Sequence, residues 1–306
     1  MGCSTSVPHE VVFEDPDLHR LCKLTKNKYT SLGTFESDKS FFYKDQDNAL
    51  WKIRKHKSAQ EVKELYYNNM RAFLLPRSQY LLKPTAILKL SRKSFAVKMQ
   101  HGDTDLFEYI DKDFKLNDVA KALHEISQSI LWLHDHCLAH RDIKPENIVM
   151  HNGRWKLIDF DFCSPLEEFV HCGTHCFICK PEITNTWSGS ASDASKRADV
   201  YAFGKTIFMC LWKAAELNYI KQRRVLWVMF HNDFVVDIEM KIEPEWQPWL
   251  DVAMKCCAKQ PPTRIPTLPT TMIDTIRTVD TIARVTTIQM VDTDPTLTET
   301  TPFCLI

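Results

Sequence analysis

The clearest pattern of hydrophobic and polar positions covers residues 116–136. Apolar side chains recur there every three or four positions, which is the spacing of one face of an α-helix. Further helices are predicted over residues 58–74, 199–212 and 246–259. The apolar face of the helix predicted over residues 116–136 is formed by five residues, namely Val119, Leu123, Ile126, Ile130 and Leu133.

Runs rich in β-branched and aromatic residues predict strands, most of them within the first hundred residues. Two later runs, residues 148–150 and 155–158, flank Asn152 and Gly153. An Asn-Gly pair is favoured in tight two-residue hairpin turns, so these runs predict a hairpin. The earlier strands are predicted over residues 40–43, 49–53, 80–90 and 94–99.

Composition narrows the class of protein. The chain has 306 residues, of which 44% are hydrophobic, enough for one large domain or two lobes with a sizeable core. Lysine plus arginine and aspartate plus glutamate both number 39, so the net charge of 0 does not indicate nucleic-acid binding. The odd count of 11 cysteines and the lack of a signal-peptide pattern favour reduced thiols in the cytoplasm, with the nucleus left open. No apolar run reaches the roughly 18 residues of a transmembrane helix.

Polar side chains gather between the long helix and the end of the predicted hairpin. Asp142, Lys144 and Asn147 lie in the stretch His-Arg-Asp-Ile-Lys-Pro-Glu-Asn, and Asp159 follows the hairpin. A base, a cation and two oxygen ligands for Mg²⁺ are what phosphoryl transfer needs. The alternative is a polar helix-to-hairpin turn without chemistry.

The stretch resembles the catalytic loop of the eukaryotic-type protein kinases, and Asp159-Phe160 resembles the start of their Asp-Phe-Gly motif. The resemblance covers about residues 29–276. It implies an α+β, two-lobed fold with a small β-rich N-lobe, residues 29–100, and a larger helical C-lobe, residues 101–276. Residues 1–28 are then a flexible N-terminal segment, and the Thr-rich residues 277–306 a disordered tail.

The resemblance also implies the function, which is phosphorylation of protein Ser or Thr residues with ATP and Mg²⁺ (or Mn²⁺) as cofactors. Lys144 is typical of the Ser/Thr class. Asp142 would be the base that receives the substrate hydroxyl, and Lys144 would steady the transferred group. Asn147 and Asp159 would bind the metal. The expected partners are protein substrates, without nucleic acid, and the oligomeric state is left open.

Nucleotide-binding residues follow from the same resemblance. Lys52, in Ala-Leu-Trp-Lys, would contact the α- and β-phosphates and be held by Glu64, with Glu61 as the alternative. Gly33 is what remains of the glycine-rich loop.

Three further roles come from the resemblance. Asp105 or Asp103 would bind the ribose or cap a helix, and Val149 would form the floor under adenine. Asp199 would hold the backbone of the catalytic loop.

Departures from the family pattern keep a rival interpretation open, a pseudokinase that binds or scaffolds. They are the poor glycine loop, Leu50 over the adenine, the uncertain Glu64, and Asp161 in place of the motif's glycine. A zinc site is a separate alternative, suggested by the crowding of His171, Cys172, His175, Cys176 and Cys179.

Two hypotheses concern regulation and anchoring. Arg141 precedes the catalytic aspartate, and the carboxylates of Glu167 and Glu168 are expected to stand in partly for a phosphate that would bind it. Gly2, with Cys3 beside it and a serine at position 6, fits an acylation pattern and predicts membrane association. The alternative is an ordinary N-terminus.

Overall fold

A four-stranded antiparallel sheet opens the part of the chain that the computed structural model describes, which is residues 40–44, 50–55, 58–112, 115–217, 223–231 and 244–269. Gly2, Cys3, Gly33 and the Thr-rich residues 277–306 lie outside the described residues. The strands lie in the order β1-β2-β4-β3. Their bounds are β1 Ser40–Lys44, β2 Leu50–Lys55, β3 Ala86–Ser91 and β4 Ser94–Met99.

Strand β2 has two different faces because side chains alternate along a strand. Trp51 and Ile53 are buried on one face with Leu88 and Ala96. Lys52 therefore points to the other face, together with Leu50. On that face Leu50 packs against a core cluster formed by Val62, Met70, Ile87, Phe95, Val97 and Met99.

Helix α1, Ala59–Leu74, covers this second face of the sheet. The Ser58 hydroxyl caps it by accepting a hydrogen bond from Glu61 N at 3.4 Å, so the predicted N-terminus is confirmed. The strand predicted over residues 80–90 is shorter than expected. Pro84 lacks the N–H that a strand ladder requires, and β3 begins only at Ala86.

Helices and short strands form the rest of the described chain. They are β5 Thr104–Asp105, α2 Leu106–Lys112, α3 Leu116–Asp135, β6 Leu138–Ala139, β7 Ile148–His151, β8 Arg154–Leu157, β9 Ser164–Pro165, α4 Pro181–Thr184, α5 Ala191–Leu217, α6 Arg223–His231 and α7 Gln247–Cys256. Short 3₁₀ turns lie at Pro145–Asn147 and His175–Phe177.

The apolar face predicted for α3 is buried along its whole length. The β7–β8 turn also forms as predicted, because Asn152 and Gly153 both adopt positive φ, at 54° and 72°. These elements confirm the α+β architecture of a small β-rich lobe and a larger helical lobe. None of the described helices combines the length and apolar content needed to cross a membrane.

Helix α5 is the central helix of the larger lobe and is buried on most sides. It approaches α7 closely at Gly204, where a Cβ would lie 2.6 Å from the Cβ of Cys256. A glycine is required there because any side chain would push the two helices apart. Asp199 lies five residues earlier on α5 and contacts the backbone N–H groups of His140 and Arg141.

Candidate active site

Asp199 holds the backbone of the catalytic loop from below. Its Oδ2 accepts hydrogen bonds from His134 Nε2 and from His140 N, both at 2.9 Å, and its Oδ1 accepts one from Arg141 N at 2.7 Å. Burial by itself would raise the pKa of this carboxyl, but the hydrogen bond from His134 and the nearby imidazoles hold the pKa below its ordinary value. The charged carboxylate supports Arg141 at a φ of 67°, a conformation that non-glycine residues seldom adopt.

Asp142 lies at the centre of a cluster formed with Lys144 and Thr174. The carboxylate is 5% exposed, and its Oδ1 accepts hydrogen bonds from Thr174 N at 3.0 Å and Thr174 Oγ1 at 2.7 Å. Lys144 Nζ lies 3.0 Å from Asp142 Oδ2 and donates to Thr174 Oγ1 at 2.6 Å. Burial would raise the pKa of Asp142, but the Lys144 charge and the Thr174 hydroxyl outweigh it, and the pKa is lowered. The Asp142 carboxyl, the predicted base, is therefore ionised at neutral pH.

The hairpin β7–β8 links the two predicted metal ligands. Asn147 Nδ2 donates to Asp142 O at 2.7 Å and to Asp142 Oδ2 at 2.9 Å, which turns the carboxamide oxygen away from the base. The backbone of Asn147 accepts a hydrogen bond from Ile158 N at 2.9 Å, beside Asp159. A carboxamide oxygen and a carboxylate are ligands that Mg²⁺ accepts, so this donor set fits the expected metal.

Lys52 contacts two carboxylates of the segment that follows β8. Its Nζ lies 2.7 Å from Asp159 Oδ2 and 2.8 Å from Asp161 Oδ2. Burial by itself would lower the pKa of Lys52, but the two carboxylates raise it above its ordinary value. Burial would likewise raise the pKa of Asp159, and the Lys52 charge lowers it. The structure thus brings together a charged lysine and the charged carboxylate of Asp159, which is the predicted metal ligand.

The predicted pair of Lys52 and Glu64 is not formed in this structure, and this corrects the assignment of Glu64. Glu64 is exposed and accepts a hydrogen bond from Gln60 Nε2 at 2.9 Å, one helical turn earlier. The apolar residue Val62 does face the core, but Glu64 lies two positions, or about 200°, further around the helix. Glu61, the alternative, is exposed as well.

Sequence reasoning missed the role of Asp161. It treated this residue only as a loss of glycine's backbone freedom, whereas the side chain is 1% exposed and contacts Lys52, Arg54 and Asn69. The available signal was the combination of an acidic residue in the motif with a helix that lacks an inward-facing glutamate.

The predicted nucleotide contacts in the larger lobe are partly structural. Asp105 Oδ1 caps α2 by accepting a hydrogen bond from Glu108 N at 2.8 Å, which is the helix-cap alternative. Val149 is buried and pairs with Asp105 between β5 and β7. A Cβ at Gly102 would lie 2.7 Å from Val149 Cβ, so the chain entering this lobe passes directly over Val149.

The Arg141 side chain is held in a different way from that predicted, by Ser195 of α5 and by the activation segment, which is residues 166–180 between β9 and α4. Its guanidinium donates to Val170 O and Ser195 Oγ, each at 3.0 Å, and to Glu168 O. The side chains of Glu167 and Glu168 are exposed. Backbone carbonyls, which already point inward in this turn, replace the expected carboxylates.

The zinc alternative finds no support in the described residues. Among them, no group of three or more His, Cys, Asp or Glu side chains has a geometry that could hold a metal ion. His171 Nε2 instead shares a hydrogen bond of 2.5 Å with the backbone oxygen of Cys179.

Comparison with known proteins adds the family. Residues 43–294 match the model described as "Protein kinase domain". A serine/threonine-protein kinase of Acanthamoeba polyphaga mimivirus is 32% identical over 123 residues, covering 38% of this chain and 42% of the relative. The serine/threonine-protein kinase Chk1 of Saccharomyces cerevisiae is 30% identical over 162 residues, covering 47% of this chain and 28% of the relative.

The chain therefore spans less than half the length of either relative. The family model, in contrast, covers most of the chain, including every catalytic-loop residue described above. The chain belongs to the protein kinase family.

Proposed function

We propose that the protein transfers the γ-phosphoryl group of ATP to Ser or Thr residues of protein substrates. The observation that carries the proposal is the cluster of Asp142, Lys144 and Thr174, whose polar atoms lie within 3.0 Å of one another. The names of the relatives, which are serine/threonine-protein kinases, support the same class of acceptor.

Each group of the cluster has a defined task in this reaction. The substrate hydroxyl oxygen forms a bond to the γ-phosphorus, the bond from that phosphorus to the β–γ bridging oxygen breaks, and the hydroxyl proton passes to Asp142. Lys144 lies 3.0 Å from the base and neutralises negative charge on the group in transfer. Thr174 holds both side chains in place, since its hydroxyl contacts each of them.

Asn147 and Asp159 would hold Mg²⁺, and Lys52 would hold the ATP phosphates. The metal, when bound, would neutralise negative charge on the ATP phosphates. The residues themselves provide orientation. Asp159 is fixed by Lys52 at 2.7 Å, and Asn147 by two hydrogen bonds to Asp142, so the metal ligands are positioned by the same residues that contact ATP and substrate.

The test uses the purified chain, radiolabelled ATP, Mg²⁺ or Mn²⁺, and a panel of protein acceptors, followed by identification of the phosphorylated amino acid. We expect phosphoserine and phosphothreonine, and no product with a chelator. Phosphotyrosine as the main product would contradict the Ser/Thr assignment. No product with any acceptor at millimolar ATP would favour the pseudokinase.

We also propose, from the N-terminal pattern alone, that acyl chains on Gly2 and Cys3 attach a cytoplasmic protein to membranes. One acyl chain anchors marginally and two anchor stably. The full chain should take up labelled myristate and sediment with membranes, whereas Gly2→Ala should be soluble. Identical fractionation of the two proteins would contradict the proposal.

A further inference from the structure

Lys52 needs a resident counter-charge, because the residue is only 5% exposed. An unpaired buried charge is strongly destabilising, and a lysine in that situation would lose its proton. Asp159 contributes one partner, but this carboxylate is also the proposed metal ligand. A second, dedicated carboxylate would keep Lys52 charged and aimed while Asp159 serves the metal.

Asp161 meets this requirement on geometry. One carboxylate oxygen, Oδ2, contacts Lys52 Nζ at 2.8 Å and the guanidinium of Arg54. The other oxygen, Oδ1, accepts a hydrogen bond from Asn69 Nδ2 at 2.8 Å. The backbone oxygen of Asp161 accepts another from Asn68 Nδ2 at 2.7 Å. One residue therefore joins strand β2 and helix α1 to the segment after β8.

Asn69 is the uncharged partner of the Asp161 carboxylate on helix α1. It is a buried residue of α1, 3% exposed, and its side chain contacts the Asp161 carboxylate. Its amide donates to Leu65 O at 2.9 Å as well as to Asp161, and an amide carries no charge with which to pair Lys52. A carboxylate at position 69 would face the Asp161 carboxylate in a buried site, where two negative charges repel. A charge at position 161 thus goes with a neutral side chain at position 69.

We infer that Asp161 is the positioning residue for Lys52, and that Asn69 is the neutral adaptor that ties this carboxylate to helix α1. The negative charge that would otherwise come from the helix has moved to the third position of the Asp-Phe-Asp motif. This inference deepens the proposed function and rests on it, because Lys52 is taken as the ATP contact.

The test exchanges the two side chains. Asp161→Asn and Asn69→Asp each change one group without a large change in volume, and the double variant restores one carboxylate and one amide across the same contact. Binding of the non-hydrolysable analogue AMP-PNP with Mg²⁺ is measured by calorimetry, and folding by circular dichroism. Each single variant should raise Kd by about tenfold or more, and the double variant should recover most of that loss.

Glu64→Gln is the control variant, because it also removes one carboxylate, at an exposed position of α1. The structure predicts an unchanged Kd for Glu64→Gln. A loss equal to that of Asp161→Asn would overturn the inference, and so would an Asp161→Asn protein that folds and binds as the wild type does. Should Asp161→Asn fail to fold, the double variant decides: recovery of folding and binding supports the exchange, and a folded double variant without recovery contradicts it.

Because the readout is binding, the inference and the proposed function fail separately. A wild-type chain that binds AMP-PNP but phosphorylates nothing removes the proposed catalysis and leaves the charge exchange to be judged by Kd. If Asp161 only stabilised the fold, its variants would have a changed melting temperature, and those that fold would bind AMP-PNP with the wild-type Kd.

Discussion

The catalytic loop and the lysine site form by different routes, although both belong to one active site. In the loop, Asp142, Lys144 and Asn147 lie within six consecutive residues, and their geometry follows from one local turn. At the lysine site, Lys52 and Asp161 are 109 positions apart in the chain. A motif can therefore specify the first region, whereas the partner in the second depends on how a helix, a strand and a loop pack.

The largest expected effect concerns the residue shared by the two regions. Asp159→Asn removes the proposed metal ligand and one of the two carboxylates that pair with Lys52, and phosphotransfer should fall by about 10²-fold or more. The variant should remain folded by circular dichroism, because Asp161 still pairs with Lys52. Retention of more than a tenth of the wild-type rate would mean that Asp159 does not bind the metal.

The next prediction concerns the catalytic loop and the pH dependence of the phosphotransfer rate. As the proposed base, Asp142 must be ionised to accept a proton, and its pKa is held below the ordinary value by Lys144 and Thr174 against the effect of burial. The acid limb of the rate profile should therefore lie below about pH 3.9 in the wild type. Lys144→Gln and Thr174→Val should each shift this limb to higher pH and slow the reaction by about tenfold or more.

If the acid limb of the rate profile lies at the same pH in Lys144→Gln and Thr174→Val as in the wild type, Asp142 is not the titrating base. Ser190→Ala offers a control, since its hydroxyl contacts Asp193 at the surface and no residue of the cluster.

The catalytic loop and the lysine site also differ in how well the sequence predicts them. The long amphipathic helix, the Asn-Gly turn and the Asp142–Asn147 stretch could be predicted because each depends on neighbours within a few positions. The predicted pair of Lys52 and Glu64 is not formed, because the helix turns Glu64 outward, where it contacts Gln60. The carbonyl cage of Arg141, which is formed by the backbone oxygens of Glu168 and Val170, was missed because backbone groups carry no sequence signature.

A smaller effect, on stability and not on rate alone, should appear beneath the loop. Asp199→Ala leaves the N–H groups of His140 and Arg141 without their acceptor, at a cost of about 1–3 kcal/mol for each buried donor. Denaturant unfolding measures this loss. Asp193→Ala, which removes a carboxylate near the surface end of the same helix, should lose less.

Asp199 also gives that stability a pH dependence. Its folded pKa lies below the unfolded value of about 3.9, so its contribution is complete above that pH and is lost as the pH falls through the folded pKa. Unfolding free energies of wild type and Asp199→Ala should therefore converge in acid. Parallel curves through that range would show that folding does not lower the pKa of Asp199.

The smallest effect expected is that of phosphatase treatment. Backbone carbonyls and Ser195 already hold the Arg141 guanidinium, so the activation segment needs no phosphate for its position. Dephosphorylated protein should keep most of its activity, and Glu168→Gln should behave as the wild type does. Loss of activity on phosphatase treatment would show that a modified residue, and not the carbonyl cage, orders the segment.

The most direct test of the central claim is the phosphotransfer rate of wild type beside Asp142→Asn, measured at millimolar ATP with Mg²⁺ on a broad panel of protein substrates. Asparagine keeps the size of the base and removes its charge, so binding of AMP-PNP should change little while transfer to Ser and Thr falls by about 10²-fold or more. Equal and measurable rates for the two proteins would contradict the assignment of Asp142 as the base, and rates at background for both would identify the chain as a pseudokinase.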